Sequence, residues 1–209
     1  MSEKARVAVL VSGGGTNLQA ILDAERDGVI TSGEVVLVIS SSSKAYALER
    51  AKLAGIDAYA VTKKKYGSLE KIEEKLVSLL AEYRIDLIVL AGFLTVLSPE
   101  FTARYPRRIL NVHPSLIPSF SGDGFYGLKV HEEALKRGVK VTGATVHFVN
   151  EITDGGEILY QKAVEVLPGD TPEVLQRRVM EQAEWILLPK AVETVSQEVV
   201  RGTVPLTTG

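Results

Sequence analysis

Short β-branched runs alternate with amphipathic stretches through the first half of the chain, the pattern of a parallel sheet whose strands are joined by helical crossovers. Residues 6–11, 35–39, 58–61 and 87–90 read as strands, and residues 16–26, about 45–54 and about 68–83 as helices between them. In the last of these, Leu69, Ile72, Leu76, Leu79 and Leu80 recur at helical spacing while Lys71, Glu73, Glu74 and Lys75 fill the opposite face. Ser98-Pro99-Glu100 and Thr171-Pro172-Glu173 each set an N-cap residue before a proline suited to the first helical position, so a helix is expected to open at each.

After a strand at 108–112 the rhythm breaks. A Gly-, Pro- and Ser-rich stretch of about 17 residues precedes the next helix near Lys129, and a connection of that length is usually functional or disordered. Residues 141–148 and 158–166 are strand candidates joined through the turn-type sequence Thr153-Asp154-Gly155-Gly156. One long helix is expected from about Pro172 to Val199. No repeat, low-complexity tract or linker divides the chain, so residues 1–209 are expected to form one α/β domain.

Composition narrows the chemistry. With 45% hydrophobic residues the chain can bury a full core unaided. It has no cysteine, which excludes disulfides and thiolate zinc sites, and its three histidines show no metal-ligand spacing, so no metal is expected. A formal net charge of -2 gives no pull toward nucleic acid. The apolar runs Leu87–Leu90 and Ile186–Leu188 fall far short of the roughly 20 residues a membrane span needs. Met1 to Arg6 lead straight into the first strand and read as no signal peptide, so small-molecule substrates and a cytoplasmic location are expected, in a monomer or homodimer.

Ser12-Gly13-Gly14-Gly15-Thr16-Asn17 stands between the first strand and the first helix, where free N–H groups and the helix dipole favour an anion. The alternative is a plain strand-to-helix turn with a cap. Leu18 occupies the third glycine position of a dinucleotide fingerprint, and no Gly-Lys-Ser/Thr follows, so a monophosphate suits the loop better than a dinucleotide or a triphosphate. Asn111 and His113, two apart at a strand end, emerge on one side at the carboxyl edge of the sheet, where ligands of open α/β sheets bind. An amide and an imidazole together supply an oxyanion donor and a proton carrier, the two needs of acyl transfer to an amine. Asp154 would support the imidazole if the fold brings it near; otherwise Asp-Gly is a turn. His131, beside Glu132 and Glu133, reads as a solvated first helical turn. His147 reads as a hydrogen-bonded structural residue, and Lys63, Lys64 and Lys65 as solvated surface.

The chain resembles the phosphoribosylglycinamide formyltransferases along essentially its whole length. The resemblance is carried by residues 11–19 (VSGGGTNLQ), 91–94 (AGFL), 111–118 (NVHPSLIP), 146–149 (VHFV) and 154–156 (DGG), taken in that order. It implies a Rossmann-like formyltransferase fold: a mostly parallel central sheet flanked by helices, with antiparallel C-terminal strands and a long C-terminal helix. A phosphate-binding half would run to about residue 105 and a catalytic, folate-binding half from about 106. It also implies 10-formyltetrahydrofolate as co-substrate. Asn111 would polarise the formyl carbonyl, His113 act as general acid and base, and Asp154 support the protonated histidine. Gly15, Thr16 and Asn17 would contact the ribose phosphate of the amine substrate, and Glu184 its ribose. Leu94, Thr95, Val96 and Leu97, with Asn111 and the loop 150–154, would line the folate site.

The chain departs from the family at Thr95 and Leu69, where relatives carry basic residues, and in a longer segment from Gly122 to Val130. These bear on folate affinity and substrate access rather than on the chemistry. A 10-formyltetrahydrofolate deformylase, a methionyl-tRNA formyltransferase or a non-catalytic folate- or nucleotide-binding protein would share parts of the pattern. The usual extra domains of the two enzymes have no counterpart in this sequence, and joint retention of Asn111, His113 and Asp154 argues against a binding module.

Overall fold

Strand β1 (Ala5–Val11) is apolar on both faces and therefore needs cover on both. In the computed structural model, which describes residues 4–203, the cover comes from two different helical layers. Val7, Val9 and Val11 pack toward α1 (Thr16–Arg26) and α8 (Trp185–Val200), whereas Ala8 and Leu10 pack toward α4 (Leu69–Glu82) and α5 (Pro99–Ala103). The period of two along the strand thus sorts its side chains between the layers. In α4 the stripe read from the sequence is the buried face: Ile72, Leu76, Leu79 and Leu80 are all under water-excluding cover, each burial worth about 2 kcal/mol, while Leu69 is exposed.

The sheet has seven strands in the order β3 (Asp57–Ala60), β2 (Gly33–Ser40), β1, β4 (Leu87–Leu90), β5 (Ile109–His113), β6 (Val141–Phe148) and β7 (Ile158–Glu165). The first five run parallel; β6 is antiparallel to β5, and β7 to β6. The remaining helices are α2 (Tyr46–Leu53), the single turn α3 (Lys63–Tyr66), α6 (Leu128–Arg137) and α7 (Pro172–Val179). The chain winds outward from β1 to β3 and resumes at β4 on the other side of β1. The carboxyl ends of β1 and β4 therefore meet where the winding reverses, and loops diverge there to leave a crevice. Ser98 and Thr171 cap their helices as expected, each oxygen accepting the N–H three residues on.

The long C-terminal helix expected over 172–199 is present and continuous, but it is not uniform. Between α7 and α8 a π-helical turn, Met180–Glu184, takes up one extra residue. Pro189, inside α8, cannot donate the backbone hydrogen bond that a regular helix requires one turn upstream, so local hydrogen bonding there is already irregular. The π turn leaves Glu184 and Ala183 facing inward together.

Glu193 fastens α8 to the connection between α1 and β2. Its carboxylate accepts the N–H groups of Thr31 and Ser32 at 2.8 and 2.9 Å and both hydroxyls at 3.0 Å. Burial alone would push this carboxyl up, but the Ser32 N–H, the Gln197 amide and the two Thr31 donors outweigh it and hold it down at about 2. A depressed carboxyl pKa stabilises the fold above the ordinary glutamate value of 4.5 and loses that effect as pH falls toward 2. Glu193→Ala is expected to lower the unfolding free energy at pH 7 by about 1–3 kcal/mol. Urea titrations at pH 7 and pH 3 check this, the gap between variant and parent narrowing at the lower pH.

Candidate active site

The crevice is built first by a glycine loop. From Val11 the chain turns through residues 12–15 into α1, and Gly15 has φ +72° while a Cβ placed there would lie 2.6 Å from the Ala47 Cβ. Both the left-handed backbone and the close approach of α2 call for glycine. Ser12 Oγ accepts the Leu94 N–H at 2.8 Å and lies 2.6 Å from Ser41 Oγ, which ties together the loops that follow β1, β4 and β2. Two residues into α1, the buried Asn17 donates from Nδ2 to Glu184 Oε2 at 2.8 Å. Burial pushes the Glu184 carboxyl up to about 7, the Asn17 bond offsetting only part of the effect. The structure therefore joins Gly15, Thr16, Asn17 and Glu184 in one cluster, from opposite ends of the sequence.

The second cluster follows from strand register. Asn111 and His113 share a face of β5 with the buried Ile109, and Asn111 lies directly opposite His147 of β6. The His147 Nδ1–H donates to the Phe148 carbonyl at 2.9 Å, because a carbonyl can only accept. This leaves Nε2 as an acceptor for Asn111 Nδ2 at 3.1 Å. The other hydrogen of that amide points to Asp154 Oδ1 at a longer 3.4 Å. Asp154 Oδ2 lies 3.4 Å from His113 Nδ1 and accepts the Gly122 N–H at 2.9 Å. His113 donates its Nε2–H to the Phe120 carbonyl at 2.8 Å, so Nδ1 is the nitrogen offered to Asp154.

Asp154 reaches this position because the loop from Val149 to Glu157 folds back over the strand ends. A Cβ on Gly156 would fall 1.7 Å from the Phe148 carbonyl oxygen, and one on Gly155 2.5 Å from the Ile152 side chain, so only a Gly-Gly pair can turn so tightly. Asp154 itself has φ +54°, a strained setting that functional loops often hold. Burial pushes its carboxyl up; contact with His147, the charge on His113 and the Gly122 N–H together outweigh this and hold it below the usual carboxylate range. At neutral pH the cluster thus contains a buried carboxylate, an amide and two imidazoles.

Above the cluster opens a cavity lined by 92–97, 122–127 and 149–154, with Asn111, His113, His147 and Asp154 at its base. Leu94, Thr95, Val96 and Leu97 all line it, and Leu94 and Val96 present exposed apolar side chains at its rim. Gly15, Thr16, Asn17 and Glu184 are not part of its wall. They form a neighbouring site, joined to the cavity through Ser12 and Leu94.

One expectation is overturned. His131 is no solvated first turn: it is fully buried on the inner face of α6 with Val130 and Ala134, and neither ring nitrogen meets a hydrogen-bond partner among the described residues. Burial, helped by nearby His113, pushes its pKa down to about 4, so it stays neutral. The adjacent Glu132 and Glu133 misled the reading, because the turn of about 100° per residue carries them out of the sector that holds Val130, His131 and Ala134. His147 has the hydrogen-bonded role expected of it, and in addition touches Asn111. The Lys63–Lys65 run is exposed as expected.

A family model described as formyl transferase matches residues 5–192. The phosphoribosylglycinamide formyltransferase of Haemophilus influenzae is 39% identical over 188 residues, covering 90% of this chain and 85% of that protein. The trifunctional purine biosynthetic protein adenosine-3 of Homo sapiens is 41% identical over 199 residues, 95% of this chain; the chain spans 19% of the length of that relative. Glycinamide ribonucleotide transformylase 1 from Symbiobacterium toebii, a solved structure, has a TM-score of 0.86 at 42% identity, with 97% of this chain and 91% of that one covered. The likeness extends over the glycine loop, the β5 strand end and the Asp154 loop alike, and the chain belongs to the formyl transferase family.

Proposed function

We propose that the chain transfers the formyl group of 10-formyltetrahydrofolate to the primary amine of 5'-phosphoribosylglycinamide, giving formylglycinamide ribonucleotide and tetrahydrofolate in purine biosynthesis in the cytoplasm. The observation that carries this reading is the convergence of Asn111, His113 and Asp154 at the base of an apolar-rimmed cavity, beside a glycine loop suited to a phosphate. The names of its relatives support the same substrates.

The sequence contains no cysteine, and among the described residues no serine hydroxyl bonds to a histidine, so the substrate amine is itself the nucleophile. Its nitrogen attacks the formyl carbon, the carbonyl electrons move to oxygen, and a zwitterionic tetrahedral intermediate forms. Asn111 Nδ2 donates to that oxygen. Of its two hydrogens, the one on the long 3.4 Å contact with Asp154 is the cheaper to redirect. Once the Phe120 carbonyl leaves Nε2 and the ring proton sits on Nδ1 toward Asp154, His113 takes a proton at Nε2 from the former amine and passes one to N10 of the folate as the C–N10 bond breaks. Asp154, held ionised, stabilises the imidazolium in between. The carbonyl of Phe120 occupies His113 Nε2, so the loop from Pro114 to Gly127 governs access to that nitrogen.

Absorbance-monitored loss of a 10-formylfolate with and without glycinamide ribonucleotide tests the assignment. Turnover that requires the amine is expected; amine-independent turnover would make water the acceptor instead.

Asn111→Ala is expected to lower kcat by about 100-fold to 1000-fold, the usual cost of one oxyanion donor. Because Asp154 acts through His113, the double variant His113→Ala, Asp154→Asn should be little slower than His113→Ala alone; multiplicative losses with an intact fold would count against the linkage. If ribose hydroxyls donate to Glu184, the ionised carboxylate is the binding form. The KM for the ribonucleotide should then rise about tenfold per unit as pH falls below 7. Glu184→Gln should raise KM and flatten this profile, and pH-dependent steady-state kinetics read both.

A further inference from the structure

Helix α2 grips the glycine loop at three successive residues. The Ala47 N–H donates to the Gly13 carbonyl at 3.1 Å, Arg50 Nε donates to the Gly14 carbonyl at 2.8 Å, and Gly15 lies against Ala47 with no room for a side chain. The Gly15 carbonyl is drawn the same way, into α1, by the Gln19 N–H at 2.9 Å. A trans peptide is planar, so each carbonyl points opposite to the N–H of the next residue. Three carbonyls turned inward therefore turn the N–H groups of Gly14, Gly15 and Thr16 outward together. Among the described residues none of these three finds an acceptor. Successive N–H groups left free in this way are the makings of an anion-binding concavity.

Two of the carbonyls are turned by backbone donors; only that of Gly14 depends on a side chain. The guanidinium that holds it is locked in place, with NH1 donating to Gln19 Oε1 at 2.9 Å and the group lying over the Tyr46 ring at 5.0 Å. No ion pair neutralises it among the described residues, so its full positive charge acts beside the loop.

We propose that Arg50 is a positioning residue of the phosphate site: it turns the Gly14–Gly15 peptide so that the Gly15 N–H faces a phosphate monoester beside those of Gly14 and Thr16, and it supplies uncompensated positive charge. The inference rests on reading the glycine loop as the seat of the substrate phosphate.

The test compares Arg50→Gln and Arg50→Lys with the parent enzyme by steady-state kinetics, by inhibition with inorganic phosphate, and by binding of a 10-formylfolate. In the parent, inorganic phosphate should compete with glycinamide ribonucleotide; absence of competition would remove the phosphate reading itself, whatever the variants do. Given competition, Arg50→Gln should raise the ribonucleotide KM and the phosphate inhibition constant by about tenfold or more, the scale of a lost charge-assisted hydrogen bond. Affinity for the folate should move by less than about twofold and kcat should be retained at saturation, a split that general loss of structure does not produce. Arg50→Lys, which keeps the charge but lacks the planar fork that reaches Gly14 and Gln19 together, should recover only part of the loss. Unaltered phosphate inhibition in Arg50→Gln, or equal losses for both substrates, would overturn the proposal. Full recovery by lysine would overturn the peptide-turning role.

Discussion

A carboxylate taken out of water must be met by donors on every side, and Asp154 sets that condition for the whole site. Its side chain is only 9% exposed, and an uncompensated buried charge costs about 3–5 kcal/mol. The compensation comes from separate parts of the chain: an imidazole and an amide from β5, that amide held in turn by His147 of β6, and a backbone N–H from the loop after β5. Each must stand where the carboxylate needs it, so one charge fixes the relative placement of two strands and two loops. The strain at Asp154 and the two glycines behind it are what the chain accepts to deliver that charge.

The sheet makes the convergence possible. Parallel strands bring their carboxyl ends to one edge, and β6, which returns antiparallel to β5 after a long loop and α6, sets His147 opposite Asn111. At the same edge the Ser12 hydroxyl joins the loops after β1, β2 and β4, so the wall of the cavity and the glycine loop share one hydrogen-bonded atom.

Local pattern carried much of this into the sequence. The glycine loop is legible because three glycines stand between an apolar run and a helical stripe, and Asn111 with His113 because alternate residues at a strand end must share a face. What lay beyond reach was pairing at a distance. Nothing local says that His147 faces Asn111, since that depends on the register of two strands. The same holds for Asn17 and Glu184, joined across most of the chain; there family likeness supplied what periodicity does not. Arg50 stands between Glu49 and Lys52 on a short helix with no local mark of a role, and its meaning appears only when α2 is laid against the loop. The π turn was hidden for the opposite reason: the apolar stripe runs through it unbroken, so the pattern gave no sign of a change in helix type.

That stripe has a geometric cause. Leu175, Val179, Ala183, Leu187, Ala191 and Val195 are all buried at intervals of four residues. In a regular α-helix each such step overshoots a full turn by about 40°, so the row would wind about 200° around the axis from first to last. The extra residue held in the π turn takes back about 100°, half of that rotation. Met180–Glu184 therefore works as a phase corrector between two helices that read the same core from either side of it. Deleting any one residue there would leave α7 and α8 out of step by more than a quarter revolution. Either the seat of Glu184 or the apolar contacts of Val195 would then face water.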